Sequence, residues 1–157
     1  MTAQELIRLL DLKPLPGEGG YYRETYRSAA RGPDGKSAST AIYYLLTPDT
    51  CSALHRLPTD EVYHFYLGDP VELLLLGPDG GRIVTLGTDL RAGQQPQFTV
   101  PAGTWQGSSL VDPGAFALMG TTMAPGFEFS DYEAGDRDLL VRDYPQFKER
   151  IARLTSS

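Results

Sequence analysis

Short apolar runs separated by turn residues are the feature that most constrains how this chain folds. Seven such runs, rich in β-branched and aromatic residues, cover residues 40–47, 61–67, 71–76, 82–86, 98–100, 105–111 and 116–122. Gly, Pro and Asp cluster between them, as in the GPDGG segment at residues 77–81, and these residues favour tight turns. Many short strands at spacings of about ten residues predict an all-β sandwich or barrel, and the lack of alternating helices argues against a parallel α/β sheet.

A short helix is predicted on each side of these strands. The first covers residues 2–10, where Thr2 and Glu5 have the spacing of a capping box. The last begins at residue 144 or 145, ends at residue 154, and carries apolar residues along one helical face. No repeat, low-complexity tract or linker interrupts the chain, so residues 1–157 are predicted to form a single domain.

Charge and cysteine content exclude several classes of function. The 157 residues carry a net charge of −6, which disfavours binding to nucleic acids and to acidic membrane surfaces. Apolar runs such as Leu73–Leu76 are far too short to span a bilayer. Cys51 is the single cysteine, so an intrachain disulfide and a multi-cysteine metal site are excluded. The first residues lack the features of a secretion signal, and we therefore expect a cytoplasmic protein.

The two histidines are the strongest candidates for chemistry. His55 and His64 lie on either side of Glu61, and a histidine beside a glutamate can bind a metal or serve as base and acid. Strand alternation places Glu61, Tyr63 and Phe65 on one face of a strand, while His64 falls on the other face. We therefore expect His55 and Glu61 to form the functional pair. His64 is assigned either a structural role on the outer face or a contact with a ligand.

Further side chains offer contacts to a ligand. Arg23 presents a planar guanidinium that suits a carboxylate or phosphate, although pairing with a nearby glutamate is an equal alternative. It follows the Gly19-Gly20 pair, which allows positive φ or a close backbone approach. Gln106 can hydrogen-bond a ligand but is a poor ligand for a transition metal. Tyr63 and Phe65, on the face of the strand that carries the glutamate, complete the predicted ligand-binding set.

Several sequence blocks form a recognisable series. They are EGGYYRETY at residues 18–26, SALHR and DEVYHFYLGDP at residues 52–56 and 60–70, PAGTWQ at residues 101–106, and APGFEFSDYE at residues 124–133. Together they resemble the cupin-5 family, a group of small proteins of unassigned activity in the cupin superfamily. The blocks occur in order over nearly the whole chain. The resemblance implies a cupin double-stranded β-helix, a jelly-roll barrel, with short N- and C-terminal helices.

The resemblance also implies where a cupin metal would be held. Glu61 keeps its place in the first cupin motif, and His55 stands at the second histidine of that motif. Ala53 and Gln106 occupy the positions of the other two histidines. Because a mononuclear site normally has three or more good protein ligands, we expect no resident cofactor. If a divalent metal is bound, His55, Glu61 and Gln106 are the predicted ligands.

The leading hypothesis is a barrel that binds a small polar metabolite in a metal-independent pocket; sugars, keto acids and anionic metabolites are among the candidates. Similarity in fold to metal-free cupin epimerases implies that any enzymatic activity is isomerase- or epimerase-like. His55 is then the base, Glu61 the acid or orienting partner, and Tyr43 a proton donor.

Two alternatives stay open. One is a metal-dependent cupin enzyme with an unusual His/Glu site, and the other is a non-enzymatic small-molecule binding module. Neither nucleic acid nor a membrane is an expected partner. A homodimer is expected, because similar cupins pair through their barrels and the segment at residues 21–26 is rich in tyrosine.

Overall fold

The protein is built mainly from antiparallel strands. The structure, a computed structural model, describes residues 1–156. Its strands are β1 (Lys13–Pro14), β2 (Tyr21–Arg27), β3 (Thr40–Leu46), β4 (Ser52–Arg56), β5 (Glu61–Gly68), β6 (Val71–Gly77), β7 (Gly80–Leu86), β8 (Gln97–Val100), β9 (Trp105–Leu110), β10 (Ala117–Met123) and β11 (Glu133–Ala134). Its α-helices are α1 (Ala3–Leu9), α2 (Arg137–Asp143) and α3 (Lys148–Arg153).

The strands form two sheets. The larger has the order β1-β2-β3-β10-β5-β8, and the smaller has the order β11-β4-β9-β6-β7. Neighbouring strands pair antiparallel throughout both sheets. Strands that are distant in sequence lie side by side, as β3, β10 and β5 do, which is the connectivity of a jelly roll. The predicted all-β barrel is confirmed, and the strands at residues 21–27 and 52–56 each supply part of the site described below.

The two sheets bury a shared apolar core. Its fully or nearly fully buried members include Leu46, Phe65, Val71, Leu73, Leu75, Leu86, Ala117 and Met119. Strand β6 is buried on both faces: Leu73 and Leu75 point into this core, whereas Leu74 and Leu76 pack under the C-terminal helices. This double burial explains the unbroken leucine run, because a strand covered on both sides has no solvent face to carry polar residues.

Helices cover the outside of each sheet. The capping box predicted for α1 is confirmed, since Thr2 accepts from the Glu5 amide and Glu5 bonds back to the Thr2 amide. The predicted C-terminal helix is split, with a 3-10 turn at Pro145–Phe147 before α3, and α2 was not predicted. No helix within residues 1–156 is both long enough and apolar enough to cross a membrane.

Candidate functional site

An internal cavity of about 260 Å³ lies against the inner faces of β2, β3, β5 and β10. Its walls combine apolar and aromatic side chains with carboxylates; they are Leu15, Glu18, Tyr22, Glu24, Thr40, Ile42, Tyr44, Leu57, Glu61, Tyr63, Thr121, Met123, Phe127 and Phe129. Phe129 lines the cavity although it is 55% exposed, so it marks the opening to solvent. The volume lies near the lower end of the range for small-molecule sites.

Glu18 reaches the cavity because a glycine-rich turn presses its backbone against two strands. Gly19 has φ +103°, and a Cβ there would overlap the carbonyl oxygen of Cys51. The turn is fastened by Ala53, whose amide donates to the Glu18 carbonyl at 2.9 Å. It is also fastened by Tyr44, whose hydroxyl donates to the Gly19 carbonyl at 2.6 Å. The Gly19-Gly20 pair therefore has the role predicted for it, a close backbone approach.

His55 faces Glu18 with a defined tautomer. Its Nδ1 lies 2.7 Å from the carbonyl oxygen of Ala53, and a carbonyl can only accept, so Nδ1 carries the proton. In neutral His55 the lone pair is then on Nε2, which lies 3.6 Å from Oε1 of Glu18. The ring stacks on Tyr132 at 5.0 Å between centroids. Glu18 also accepts from the Ser52 hydroxyl at 2.9 Å, so Ser52 on β4 holds this carboxylate.

A second carboxylate is held by a buried hydrogen-bond chain. Tyr63 donates its hydroxyl hydrogen to Oε1 of Gln106 at 2.7 Å. Nε2 of Gln106 then donates to Oε1 of Glu61 at 3.0 Å. The carboxylate accepts from the amide, which fixes the amide orientation and makes Tyr63 the donor at its other end. Gln106 thus acts as a link between β5 and β9 in the barrel wall.

Burial and charge together disfavour the ionised form of Glu61. Burial raises the pKa of its carboxyl group above the ordinary value, and the nearby Glu18 charge raises it further. His55, together with hydrogen bonding from Thr121 and Gln106, opposes this increase. Burial also raises the pKa of the Tyr63 phenol well above its usual range, so Tyr63 stays protonated and remains a donor. Of the three carboxyl groups that line the cavity, Glu18 and Glu61 therefore have unlike environments, since they differ in hydrogen-bond partners.

Among the predicted site residues, Glu61 and Tyr63 line the cavity. His55 and Gln106 do not line the cavity themselves but contact carboxylates that do: His55 contacts Glu18, and Gln106 contacts Glu61. His55 and Gln106 are also directly opposite each other in the β4–β9 pairing. His55 and Glu61, the expected pair, thus contact different residues: His55 contacts Glu18, and Glu61 contacts Gln106.

Three of the predicted site residues, Arg23, Tyr43 and His64, do not line the cavity. Arg23 lies over the Tyr43 ring at 5.5 Å from its centroid, and neither residue lines the cavity; Tyr43 instead meets Tyr66 edge-on. Strand alternation is the reason, because on β2 and β3 it is the neighbours of these residues that face inward. His64 points outward, as the alternation along β5 predicts, with Nε2 3.2 Å from the Thr122 hydroxyl.

Phe65 shares the inward face of β5, as predicted, but packs in the apolar core and not in the cavity wall. The pairing of β5 with β10 is regular from Glu61 to Phe65. No bulge therefore interrupts the alternation that separates His64 from this face. A register shift occurs only beyond it, opposite Leu118 and Met119.

Glu18 is the main residue that the sequence reasoning missed. It stands at the start of the EGG segment. The two glycines predict a close backbone approach, but the sequence analysis did not connect that approach with the position of the Glu18 side chain. A carboxylate directly before two glycines was the available signal. Tyr44 was missed as well, because the choice between two adjacent tyrosines depends on the register of β3.

The donor set does not fit the metal that the cupin resemblance implies. Gln106 uses its oxygen to accept from Tyr63, and Ala53 offers only a backbone carbonyl, already bonded to His55. Within residues 1–156, no three His, Cys, Asp or Glu side chains are grouped so that they could hold a metal ion. One imidazole and separate carboxylates fall short of the three or more good ligands that such sites use.

Comparisons with known proteins agree on the family. The model of the Cupin_5 family, described as cupin superfamily (DUF985), matches residues 4–135. The uncharacterized protein YML079W of Saccharomyces cerevisiae is 31% identical over 133 residues, which cover 73% of this chain. The chain spans 66% of the length of that relative, just under two thirds.

Two solved structures resemble the whole chain. Protein SO0799 from Shewanella oneidensis superposes with a TM-score of 0.92 at 35% identity, covering 99% of this chain and 98% of that one. A hypothetical protein from Leishmania major gives a TM-score of 0.91 at 34% identity, covering all of both chains. The fold, the glycine turn and the family match lead to one conclusion: the chain belongs to the Cupin_5 (DUF985) family of the cupin superfamily.

Proposed function

We propose that this protein binds a small polar metabolite inside its barrel without a metal ion. The observation that carries the proposal is that Glu18 and Glu61 both line one internal cavity and are held there by separate hydrogen-bond partners. Polar groups fixed in an otherwise apolar pocket are what orient a small ligand and make its binding specific. The aromatic and aliphatic walls supply the buried apolar area.

The chemistry of the lining does not favour an anionic ligand. Among residues 1–156, no Lys or Arg side chain lines the cavity. Glu24 lies in the wall, and the nearby Arg27 is occupied by it, through two hydrogen bonds of 2.9 Å. Arg23, the expected anion-binding residue, is on the outer face. A ligand with a carboxylate or phosphate would meet like charges without a compensating cation.

A screen of metabolites by thermal unfolding tests the proposal. A ligand present at about one hundred times its Kd stabilises the folded state by about 2.7 kcal/mol, which raises Tm by several degrees in a protein of this size. We expect such a ligand to be found among small neutral or cationic compounds. We also expect it to raise Tm equally when a metal chelator is present. Stabilisation that disappears when the chelator is added would contradict metal-independent binding.

Matched variants locate the ligand. Ile42 lines the cavity, so Ile42→Phe fills part of it and should abolish the stabilisation. Ile83 is 37% exposed on β7, and Ile83→Phe should leave the stabilisation intact. A ligand that stabilises both variants equally binds outside the barrel, and the proposal then fails.

The unlike environments of the two carboxyl groups favour a second candidate function, an isomerase-like proton transfer. Here Glu18 removes a proton from a carbon next to a carbonyl, the C–H electron pair moves toward that carbonyl, and its oxygen takes the proton of Glu61. Glu18 then gives its proton to the former carbonyl carbon, and the hydroxyl on the carbon that lost its proton passes a proton back to Glu61 as it becomes the new carbonyl. The product is an isomer with no net change of atoms, and both carboxyl groups regain their starting states. His55 acts through Glu18 as a positioning residue, because it does not line the cavity.

Exchange in D2O tests this candidate. A substrate that is isomerised takes up deuterium at the carbon that loses its proton, which NMR detects. Glu18→Gln should reduce this incorporation at least a hundredfold, the low end of what a general base contributes. Incorporation that is equal in Glu18→Gln and the native protein would remove Glu18 from the mechanism. If a ligand binds but takes up no deuterium, the protein is a binding module.

A further inference from the structure

We infer that the ligand of this cavity is a small organic ammonium ion, seated between Glu18 and Glu61 and surrounded by aromatic side chains. The inference rests on the proposed binding function and names its ligand class. The inference also distinguishes the two candidate functions, because a cation bound between Glu18 and Glu61 needs both carboxyl groups ionised. Glu61 then has no proton to give, and the isomerase-like step described above requires that proton.

The first argument is the balance of charge in the walls. Glu18 and Glu61 are the carboxyl groups of the cavity that are not paired with an arginine, whereas Glu24 is bonded to Arg27. Glu61 is only 7% exposed, so water does little to stabilise its ionised form. A ligand cation supplies the missing opposite charge, and charge-assisted hydrogen bonds of this kind are the strong ones.

The second argument is acceptor capacity. A carboxylate accepts at about four sites, and the amide of Gln106 fills one of those on Glu61. On Glu18, Oε2 takes the Ser52 hydrogen, and Oε1 stays at 3.6 Å from His55. Each carboxyl group thus has unfilled acceptor positions and lines the cavity. An ammonium group carries only donors, which matches these positions.

The third argument, independent of the carboxylates, is the aromatic wall. Tyr22, Tyr44, Tyr63, Phe127 and Phe129 all line the same cavity. Aromatic rings attract cations through the negative potential of their faces, and this attraction grows when water is excluded. An aromatic enclosure combined with carboxylates that have no arginine partner suits an alkylammonium group better than a sugar acid or a keto acid.

A series of three probes with one carbon skeleton tests the inference by calorimetric titration. The probes are 3,3-dimethylbutylammonium, 3,3-dimethylbutan-1-ol and 3,3-dimethylbutanoate, which carry a positive, a zero and a negative charge at the same end. We expect the ammonium to bind at least ten times more tightly than the alcohol, because a hydrogen bond to a charged group outweighs a neutral one by about this factor or more. We expect the carboxylate not to bind.

Isosteric variants assign the effect to the two carboxylates. Glu18→Gln and Glu61→Gln should each weaken ammonium binding at least fivefold and leave alcohol binding nearly unchanged, which also shows that the variants are folded. Glu149 is exposed on α3, and Glu149→Gln should change neither affinity.

Each outcome decides between the claims. If the alcohol or the carboxylate binds as tightly as the ammonium, the cation inference is overturned and the binding function stands. If the ammonium is preferred equally in Glu18→Gln, Glu61→Gln and the native protein, the cation is bound elsewhere and the inference fails. If no probe binds at millimolar concentration, the cavity does not admit ligands of this size, and both the inference and the proposed function fall.

Discussion

The hydrogen bond between Tyr63 and Gln106 predicts a specific loss of stability on substitution. Both residues are 2% exposed, and the 2.7 Å bond from the Tyr63 hydroxyl satisfies Oε1 of Gln106. Tyr63→Phe removes the donor and leaves a buried carbonyl oxygen without a partner. Such a loss costs about 1–3 kcal/mol, which corresponds to a fall in Tm of at least a few degrees for a protein of this size.

Urea unfolding gives this loss directly, as a lower midpoint at an unchanged m-value. Tyr26 is the matched control, because it lies on β2 and is 54% exposed. Tyr26→Phe should change the free energy of unfolding by no more than about 0.5 kcal/mol, as surface substitutions usually do. If Tyr63→Phe is no more destabilising than Tyr26→Phe, the amide of Gln106 is not held by this bond and the account of Glu61 positioning is wrong.

Two further substitutions test the site. Burial raises the pKa of Glu61 in the folded state, so the native protein loses stability as pH rises from the unfolded-state pKa of this group through its folded-state pKa. Glu61→Gln lacks this loss. The free energy of unfolding of Glu61→Gln, relative to that of the native protein, should therefore increase from acid to neutral pH in urea titrations. A pH-independent difference would contradict the assignment. Gly93→Ala should lower the free energy of unfolding by about 1–2 kcal/mol, because its backbone is left-handed. Gly19→Ala should lower it further, because of these two glycines only Gly19 has a backbone oxygen in the place of the added Cβ. Equal losses in urea unfolding would mean that the Glu18 turn is not tightly packed.

Most of the fold was accessible from the sequence because its signals are local. Alternation along β5 predicted which side chains face inward, and the burial of Glu61, Tyr63 and Phe65 agrees with it. Turn residues marked the strand ends to within a few positions. Helix α2 was missed because its short, largely charged sequence gives a weak periodic signal; its start is held by the Asp136 side chain, which accepts from the Leu139 amide.

The site was less predictable because it depends on contacts between distant segments. Glu18 comes to His55 only through the docking of a turn onto β4, and no periodicity in the sequence reports this contact. The choice between Tyr43 and Tyr44 depends on the pairing of β3 with β2 and β10. The predicted homodimer remains a prediction; Tyr26 and Tyr66 are exposed aromatic residues that such an interface would cover.

The most direct test of the central claim uses the methionine methyl groups as reporters. Met123 lines the cavity, Met119 is buried in the apolar core, and Met1 is 70% exposed. In methyl NMR spectra of protein treated with a metal chelator, adding 3,3-dimethylbutylammonium should shift the Met123 signal and leave the Met1 signal in place. A Met123 signal that stays fixed at saturating probe, or that moves only after a divalent metal is restored, would contradict metal-free binding inside the barrel.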